Sequence, residues 1–382
     1  MIDSWSCQNV GVISTIEEYR ATFDGEPGYL NWAAFGPLSS TVRDEVVADL
    51  GMLGTGRSSS IAHVEEREVE ARTAIAGLLG LPIEAVTLQP STAYGLMHAV
   101  YGLGGGVLAS PAEFPAIPTV ITRAADALGR IRPQWLQTTD GFVTPEAVAD
   151  QLEEDTTALV VSLVDFRTGY RADLTGLREA LGPDRLLIVD AIQGFGVVDA
   201  DWGAADVIAG HGYKRLRAGR GSGFATFNAH ARERIAPVLS GHHGVEGGLT
   251  VDEVPAPAAD ANAYTVARGD ALAAARLAIA LSEIAEVSVP VIEEALTERT
   301  ERVIEIAQRH DIRVASPLDP DRRAGIVALA PDNVAALGAE LANRGVTVTA
   351  RSGIVRVAPH VGTDDETLGL LDEACAAYAQ QR

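Results

Sequence analysis

Lysine is all but absent from this sequence: of 30 Lys and Arg residues, 29 are Arg and one, Lys214, is Lys. Arginine carries charge and pairs with carboxylates, but it stays protonated at any usable pH. It therefore cannot act as an amine nucleophile or form a Schiff base. The scarcity confines side-chain amine chemistry to position 214, although codon bias alone would leave the same trace. Cysteine is nearly as rare. Cys7 and Cys375 stand near opposite ends, which excludes a disulfide framework and cysteine-based metal spacing and fits a reducing compartment. Basic charge is in deficit, with 52 acidic residues giving a net charge of -22. That argues against nucleic acid and anionic membrane surfaces as partners. The opening MIDSWSCQNVGVISTIEEYR has no basic n-region and no apolar h-region, so no signal peptide is expected. There is no apolar run of about 18 residues to span a bilayer, no internal repeat and no low-complexity tail. The expected location is the cytoplasm.

What is present reads as a soluble globular enzyme, 47% hydrophobic and 21% charged. Its length of 382 residues suits two domains. Residues 63–80 predict an amphipathic helix closed by a glycine. Apolar runs follow at 85–88, 107–109, 158–162, 186–189, 206–209 and 224–227, most of them continuous, with helical stretches at 115–129 and 173–181 between some of them. Continuous runs are the mark of strands buried on both faces, so the chain predicts an α/β layered, mainly parallel sheet. Residues 240–262 read as a Gly/Pro/Ala-rich linker, residues 264–309 as a long helical tract, and the end from 312 as a smaller α+β unit of strand, strand, helix, strand and helix. Two glycine motifs carry no nucleotide site. GLGGG at 102–106 falls after a helix and before a strand, the reverse of a dinucleotide fingerprint. GTGRSSS at 54–60 follows no strand and has no P-loop lysine.

Lys214 lies in AGHGYKRLRAGRGSGF just after an apolar strand, 24 positions beyond Asp190, which ends the run LLIVD. Ligand crevices of open α/β sheets lie beyond the carboxyl ends of strands, so both residues are expected at one edge. Such a pair is either a structural ion pair or a pyridoxal phosphate site, with lysine bound to the cofactor and the acid holding the pyridine nitrogen protonated. Ser91 and Thr92 open a helix directly after a strand, either as an ordinary cap or as a phosphate cradle. Phe114, in SPAEFPAI, is either a core or loop residue or a ring that stacks on a planar cofactor. Arg356, inside the apolar GIVRVAP, is costly without a partner, and a carboxylate is its natural one.

With these residues in view the chain resembles the class V aminotransferase family, which includes cysteine desulfurases, kynureninase and C–S lyases. The likeness runs from YLNWAAFGPLS to RVAPHVGTDDE and is strongest over residues 189–224. It implies the fold type I architecture: a large domain, 30–255, with a mainly parallel seven-stranded-type sheet between helices, and a small α+β domain from 1–29 and 256–382. It implies pyridoxal 5'-phosphate, an amino-acid substrate, no metal, and a homodimer. Lys214 would carry the Schiff base, Asp190 would face the ring nitrogen and Gln193 the phenolate oxygen. Ser91, Thr92, His211 and Tyr213 would serve the phosphate end. Phe114 would cover the ring, Ser162 with Thr168 and Gly169 would line the cofactor, and Arg356 would hold the substrate carboxylate. The chain departs from the family's K-W-L-x-G-P-x-G with K-R-L-R-A-G-R-G; Arg215, Arg217 and Arg220 read as solvated charges. His242 and His243 read as loop structure, with a lesser possibility of reaching a neighbouring subunit's site.

Transamination is the expected reaction, since it needs only Lys214, Asp190, the cradle and Arg356. A C–S or C–C lyase, or an epimerase, is the alternative, and a non-catalytic PLP-binding module is disfavoured by the intact Lys214–Asp190 pair. Residues 320–360 contain no cysteine, which disfavours a persulfide-forming desulfurase.

Overall fold

The structure is a computed structural model and describes residues 14–138, 140–248 and 252–381. Cys7, the first 13 residues of the stretch assigned to the small domain, and residues 249–251 of the linker lie outside the described residues.

The apolar runs form one sheet of seven strands: β1 Val86–Gln89, β2 Gly105–Ala109, β3 Ile131–Trp135, β4 Thr156–Ser162, β5 Leu186–Asp190, β6 Val207–His211 and β7 Gly223–Phe227. The spatial order is β1-β7-β6-β5-β4-β2-β3. β7 is antiparallel to both of its neighbours and every other pair is parallel. β1 therefore runs with β6, and the carboxyl ends of β1, β2, β3, β4, β5 and β6 open on a single edge. This is the doubly covered α/β sheet expected of fold type I.

The described helices are α1 Ile16–Ala21, α2 Ser40–Leu53, α3 Ser58–Glu65, α4 Arg67–Leu79, α5 Thr92–Tyr101, α6 Ala116–Leu128 and α7 Pro145–Ala149. They continue with α8 Leu174–Leu181, α9 Ala229–Arg234, α10 Ala271–Val287, α11 Val289–Arg309, α12 Val334–Asn343 and α13 Asp365–Ala379. Side chains alternate along each strand between two cores. Leu108, Leu159, Leu187 and Ile208 pack with α4, α8 and α10, whereas Val107, Val160, Ile188 and Val207 pack with α5 and α6. Both faces are thus apolar, which is why the runs are continuous. Truncating one of these leucines or isoleucines to alanine costs about 2–5 kcal/mol.

A second sheet, in the order β8-β10-β9, is antiparallel: β8 Val327–Leu329, β9 Thr349–Arg351 and β10 Ile354–Val357. Val327, Leu329, Val355 and Val357 build a third core with α11, α12 and α13. Helix α11 spans two cores: Ile292 and Leu296 belong to the core under the large sheet, and Val303 and Ile306 to the small one. Residues 30–32 lace onto the small sheet, since the Leu30 N–H donates to Thr347 and the Trp32 N–H to Ala358.

Several elements differ from expectation. The tract 264–309 is broken at Ser288, which adopts φ 78°, with Pro290 seated in the first turn of α11 where its missing N–H costs nothing. The helix expected over 63–80 is divided between α3 and α4 at Glu66. β3 was not expected because Pro133 interrupts it. Among the described residues it is an edge strand paired with β2 alone, where proline is tolerated. The strand expected at 312–316 reduces to a bridge from Val314 to Leu329.

Candidate active site

The edge where six strands end gathers several of the predicted residues. Asp190 closes β5 and is buried, accepting a hydrogen bond from the Ile192 N–H at 3.0 Å. Burial pushes its carboxyl up to about 6, against the pull of the Ile192 N–H and Lys214. Lys214 follows β6 in a tight turn and is 4% exposed. Burial brings its amine down to about 8; Asp190 opposes this, and Arg356, Arg215 and Arg220 reinforce it. Its Nζ lies 5.5 Å from the ring centroids of both Phe114 and Tyr213 and has no ion pair among the described residues. The turn is held from outside. The Gly36 N–H donates to the Tyr213 carbonyl at 2.8 Å, and a Cβ on Gly36 would stand 1.9 Å from the Lys214 carbonyl oxygen.

Ser91 is the N-cap of α5 but makes no side-chain cap bond, and the Thr92 hydroxyl is buried with no partner among the described residues. The helix start thus holds free donors beside the positive end of its dipole. Gly223 of β7 allows this closeness, since a Cβ there would lie 2.6 Å from the Ser91 Cα. His211 ends β6 with its ring edge-on to Tyr213 at 4.5 Å and its Nε2 buried without a partner. Burial, then Lys214 and Arg220, bring it down to about 4, so the imidazole is neutral. Gln193 donates from Nε2 to the Ala33 carbonyl at 3.0 Å, leaving Oε1 buried and unpartnered. Oriented this way it offers an acceptor, which matches a protonated oxygen or an N–H better than the phenolate assigned to it above. Arg356, on β10, donates to the Phe166 carbonyl at 2.8 Å and to the Thr349 hydroxyl at 3.4 Å, and its Nε has no partner. It is buried without a carboxylate partner among the described residues, and burial lowers it to about 10. Phe114 is 36% exposed and meets Phe166 edge-on at 5.2 Å, so it is no core residue.

Other predicted residues are engaged elsewhere. Thr168 donates its N–H and hydroxyl to Asp165 at 2.7 Å each, and Gly169, at φ 76°, packs against Ile326. This segment is a turn that joins the large sheet to the small unit. Ser162 is held by a residue not singled out from the sequence. Glu113 accepts from the Ser162 N–H at 3.0 Å and from its hydroxyl at 2.5 Å, and burial pushes Glu113 up to about 7. The only signal was an acid directly before Phe114 in AEFP.

The reading of the basic loop as solvated needs correction. Arg215 and Arg217 are each 1% exposed. Arg215 donates to the carbonyls of Pro359 and Gly325. Arg217, at φ 61°, donates to the Thr22 hydroxyl and carbonyl and lies 3.8 Å over Phe23. Backbone carbonyls and a ring face replace water around these cations. Arg220 is exposed and lies 4.7 Å over Tyr213. His242 and His243 are exposed, 4.6 Å apart, and no group of possible metal ligands exists among the described residues. Cys375 is fully buried, and burial raises its thiol to about 12, so it is inert.

A family model, aminotransferase class V, matches residues 57–361. The chain belongs to the class V aminotransferase family. That family is dependent on pyridoxal phosphate and has the fold type I seen here. A search of curated proteins by sequence gives no match. Among solved structures, this class V chain is similar in fold to C-DES, solved as a lysine-to-alanine mutant with glycine covalently linked to the PLP cofactor. The TM-score is 0.83 and the identity 18%, covering 94% of this chain and 98% of that one. A second C-DES structure, described as a cystine C–S lyase with its product cysteine persulfide, gives a TM-score of 0.82 and 19% identity over 93% and 98% of the two chains. The Escherichia coli cysteine desulfurase CsdA gives 0.80 and 17% over 96% and 99%. At such identities the likeness is one of fold.

The residues present fit the family's cofactor. Thr92 Oγ1, His211 Nε2, Gln193 Oε1 and Arg356 Nε are all buried polar atoms without a partner among the described residues. An unmet buried polar group costs about 1–3 kcal/mol, and a polar ligand bound at these residues would relieve that cost. No helix among the described residues is long and apolar enough to cross a membrane.

Proposed function

We propose that this chain is a pyridoxal-phosphate-dependent aminotransferase acting on an amino acid, with Lys214 as the residue that bonds the cofactor and moves the substrate's α-proton. The cofactor supplies an electron sink next to the substrate's α-carbon. The remaining work falls to side chains. Ser91, Thr92 and the start of α5 hold the phosphate, with His211 as a neutral donor from Nε2. Asp190 faces the ring nitrogen, where a cationic partner returns its carboxyl toward the usual carboxylate range. Phe114 covers the ring and excludes water. Arg356 takes the substrate's α-carboxylate. Lys214, brought down to about 8, has a usable share of free amine near neutral pH, as a proton carrier needs.

The observation that supports this reading most is the single lysine, desolvated within the field of Asp190 and flanked by the rings of Phe114 and Tyr213. Purified protein supplied with the cofactor is expected to show a visible absorption band that Lys214→Ala does not. A colourless wild-type protein that takes up no cofactor would sink the proposal.

Elimination of a β-substituent is the second reading. The likeness to a cystine C–S lyase favours it, and so does Glu113, a buried acid pushed up to about 7 directly before Phe114. An amino-acid screen separates the two. Transfer yields one equivalent of keto acid with the amino group retained on the enzyme, whereas elimination releases ammonia with each turnover.

A further inference from the structure

The hairpin of β9 and β10 carries a second arginine toward the same place as Arg356. Thr349 pairs with Arg356 and Arg351 pairs with Ile354. With a side-chain period of two, Arg351, Thr349, Ile354 and Arg356 share one face, and Arg351 is the diagonal neighbour of Arg356. Val355 and Val357 take the opposite face into the small core. The hairpin turn is Ser352–Gly353, both at positive φ (51° and 81°), the tight two-residue form that fixes register. Arg351 is therefore presented by a short, well-defined hairpin.

Both guanidinium groups converge on Phe166. Arg356 donates to its carbonyl at 2.8 Å, and Arg351 lies 5.8 Å from its ring centroid. Arg167 lies over the same ring at 5.7 Å, but Asp165 neutralises it at 3.1 Å. Arg351 is exposed and has no carboxylate partner among the described residues, and neither does Arg356. Phe166 touches Phe114 edge-on at 5.2 Å, and Phe114 lies 5.5 Å from Lys214 Nζ. In a chain of net charge -22, two adjacent arginines without a carboxylate, one of them exposed beside the Phe166–Phe114 pair, make a place where an anionic group can dock. Their mutual repulsion, which contributes to the lowering of Arg356, is relieved by one anion for each.

We propose that the substrate is an amino acid with an anionic side chain, its α-carboxylate on Arg356 and its side-chain carboxylate on Arg351. This rests on the reading of the site as an amino-acid site built around Lys214. Arg351 is a specificity-determining residue that discriminates the acid from its neutral amide.

The test uses cofactor-loaded protein and an unreactive pair of ligands, glutarate and its half-amide glutaramate, titrated by calorimetry. Wild type is expected to bind the diacid about fivefold more tightly than the half-amide, the scale of one partly exposed ion pair. Arg351→Gln should abolish that preference, chiefly by weakening the diacid. Arg356→Gln should weaken both ligands. Equal binding of the two ligands by wild type, or a preference that survives in Arg351→Gln, would overturn the proposal. The visible band is read in the same samples. Its absence counts against the cofactor reading, while the diacid preference is scored separately.

Discussion

Glu113 and Asp190 are carboxyls that the fold holds protonated to higher pH than water would. For Glu113 the value rises from 4.5 to about 7, with burial the main cause. A carboxyl whose folded value lies above its unfolded one binds its proton more tightly in the native state. Its contribution to stability is complete below about 4.5 and is lost as pH rises through about 7. Asp190, raised to about 6, acts in the same direction. Glu113→Gln removes one of the two titrations while keeping a polar group against Ser162. The cofactor-free variant is therefore expected to lose less stability than wild type between pH 5 and pH 8, as read from denaturant midpoints. Parallel curves for the two proteins would show that Glu113 is already ionised in the folded chain.

At the level of elements, the site depends on a loop pressed against a segment more than 170 residues earlier in sequence. Gly36 touches the Lys214 turn so closely that a methyl group has no room. Gly36→Ala should destabilise by about 1–3 kcal/mol, as overpacking does, and should weaken cofactor uptake. Gly51→Ala on α2, where nothing lies within 4 Å, should instead gain about 0.5–1 kcal/mol by removing helix-interior glycine. A loss of cofactor uptake shared by both variants would deny Gly36 its special place. Contacts of this kind explain which features were readable in advance. The buried strands were legible because both faces are apolar, and Lys214 with Asp190 because each follows its own strand to a common edge. β3 was hidden by a proline that only an edge strand tolerates. Glu113 was hidden because its partner Ser162 is 49 residues away, at the end of another strand. Arg215 was misread because the carbonyls that bury it lie 110 and 144 residues further along the chain.

Across the whole molecule, a chain of net charge -22 buries Lys214, Arg215, Arg217 and Arg356 with no ion pair to any of them among the described residues. Such a cluster sets a positive field in a low-dielectric place, suited to anionic ligands. Arg215 is also the tie between the two sheets. It reaches from the lysine loop to Gly325 ahead of β8 and to Pro359 beyond β10, and its own carbonyl lies 3.1 Å from His360 Nε2. His360 Nδ1 accepts from the Val361 N–H at 2.8 Å, so the ring is a neutral tautomer with its proton on Nε2. Arg215→Met would leave two buried carbonyls unmet, at about 1–3 kcal/mol each. It would also remove a buried cation whose desolvation costs several kcal/mol. These terms oppose each other, so thermal stability is a poor readout. Electrostatics gives a cleaner one. Arg215 is among the charges that lower Lys214 to about 8, so its removal should raise that value. With one side-chain amine in the chain, labelling of the cofactor-free protein by an amine-directed reagent, followed across pH and mapped to the Lys214 peptide, reports it directly. The wild-type midpoint is expected near 8 and the Arg215→Met midpoint at higher pH. An unshifted midpoint would mean that the Arg215 charge does not reach the amine, and that this side chain serves to join the two sheets and nothing more.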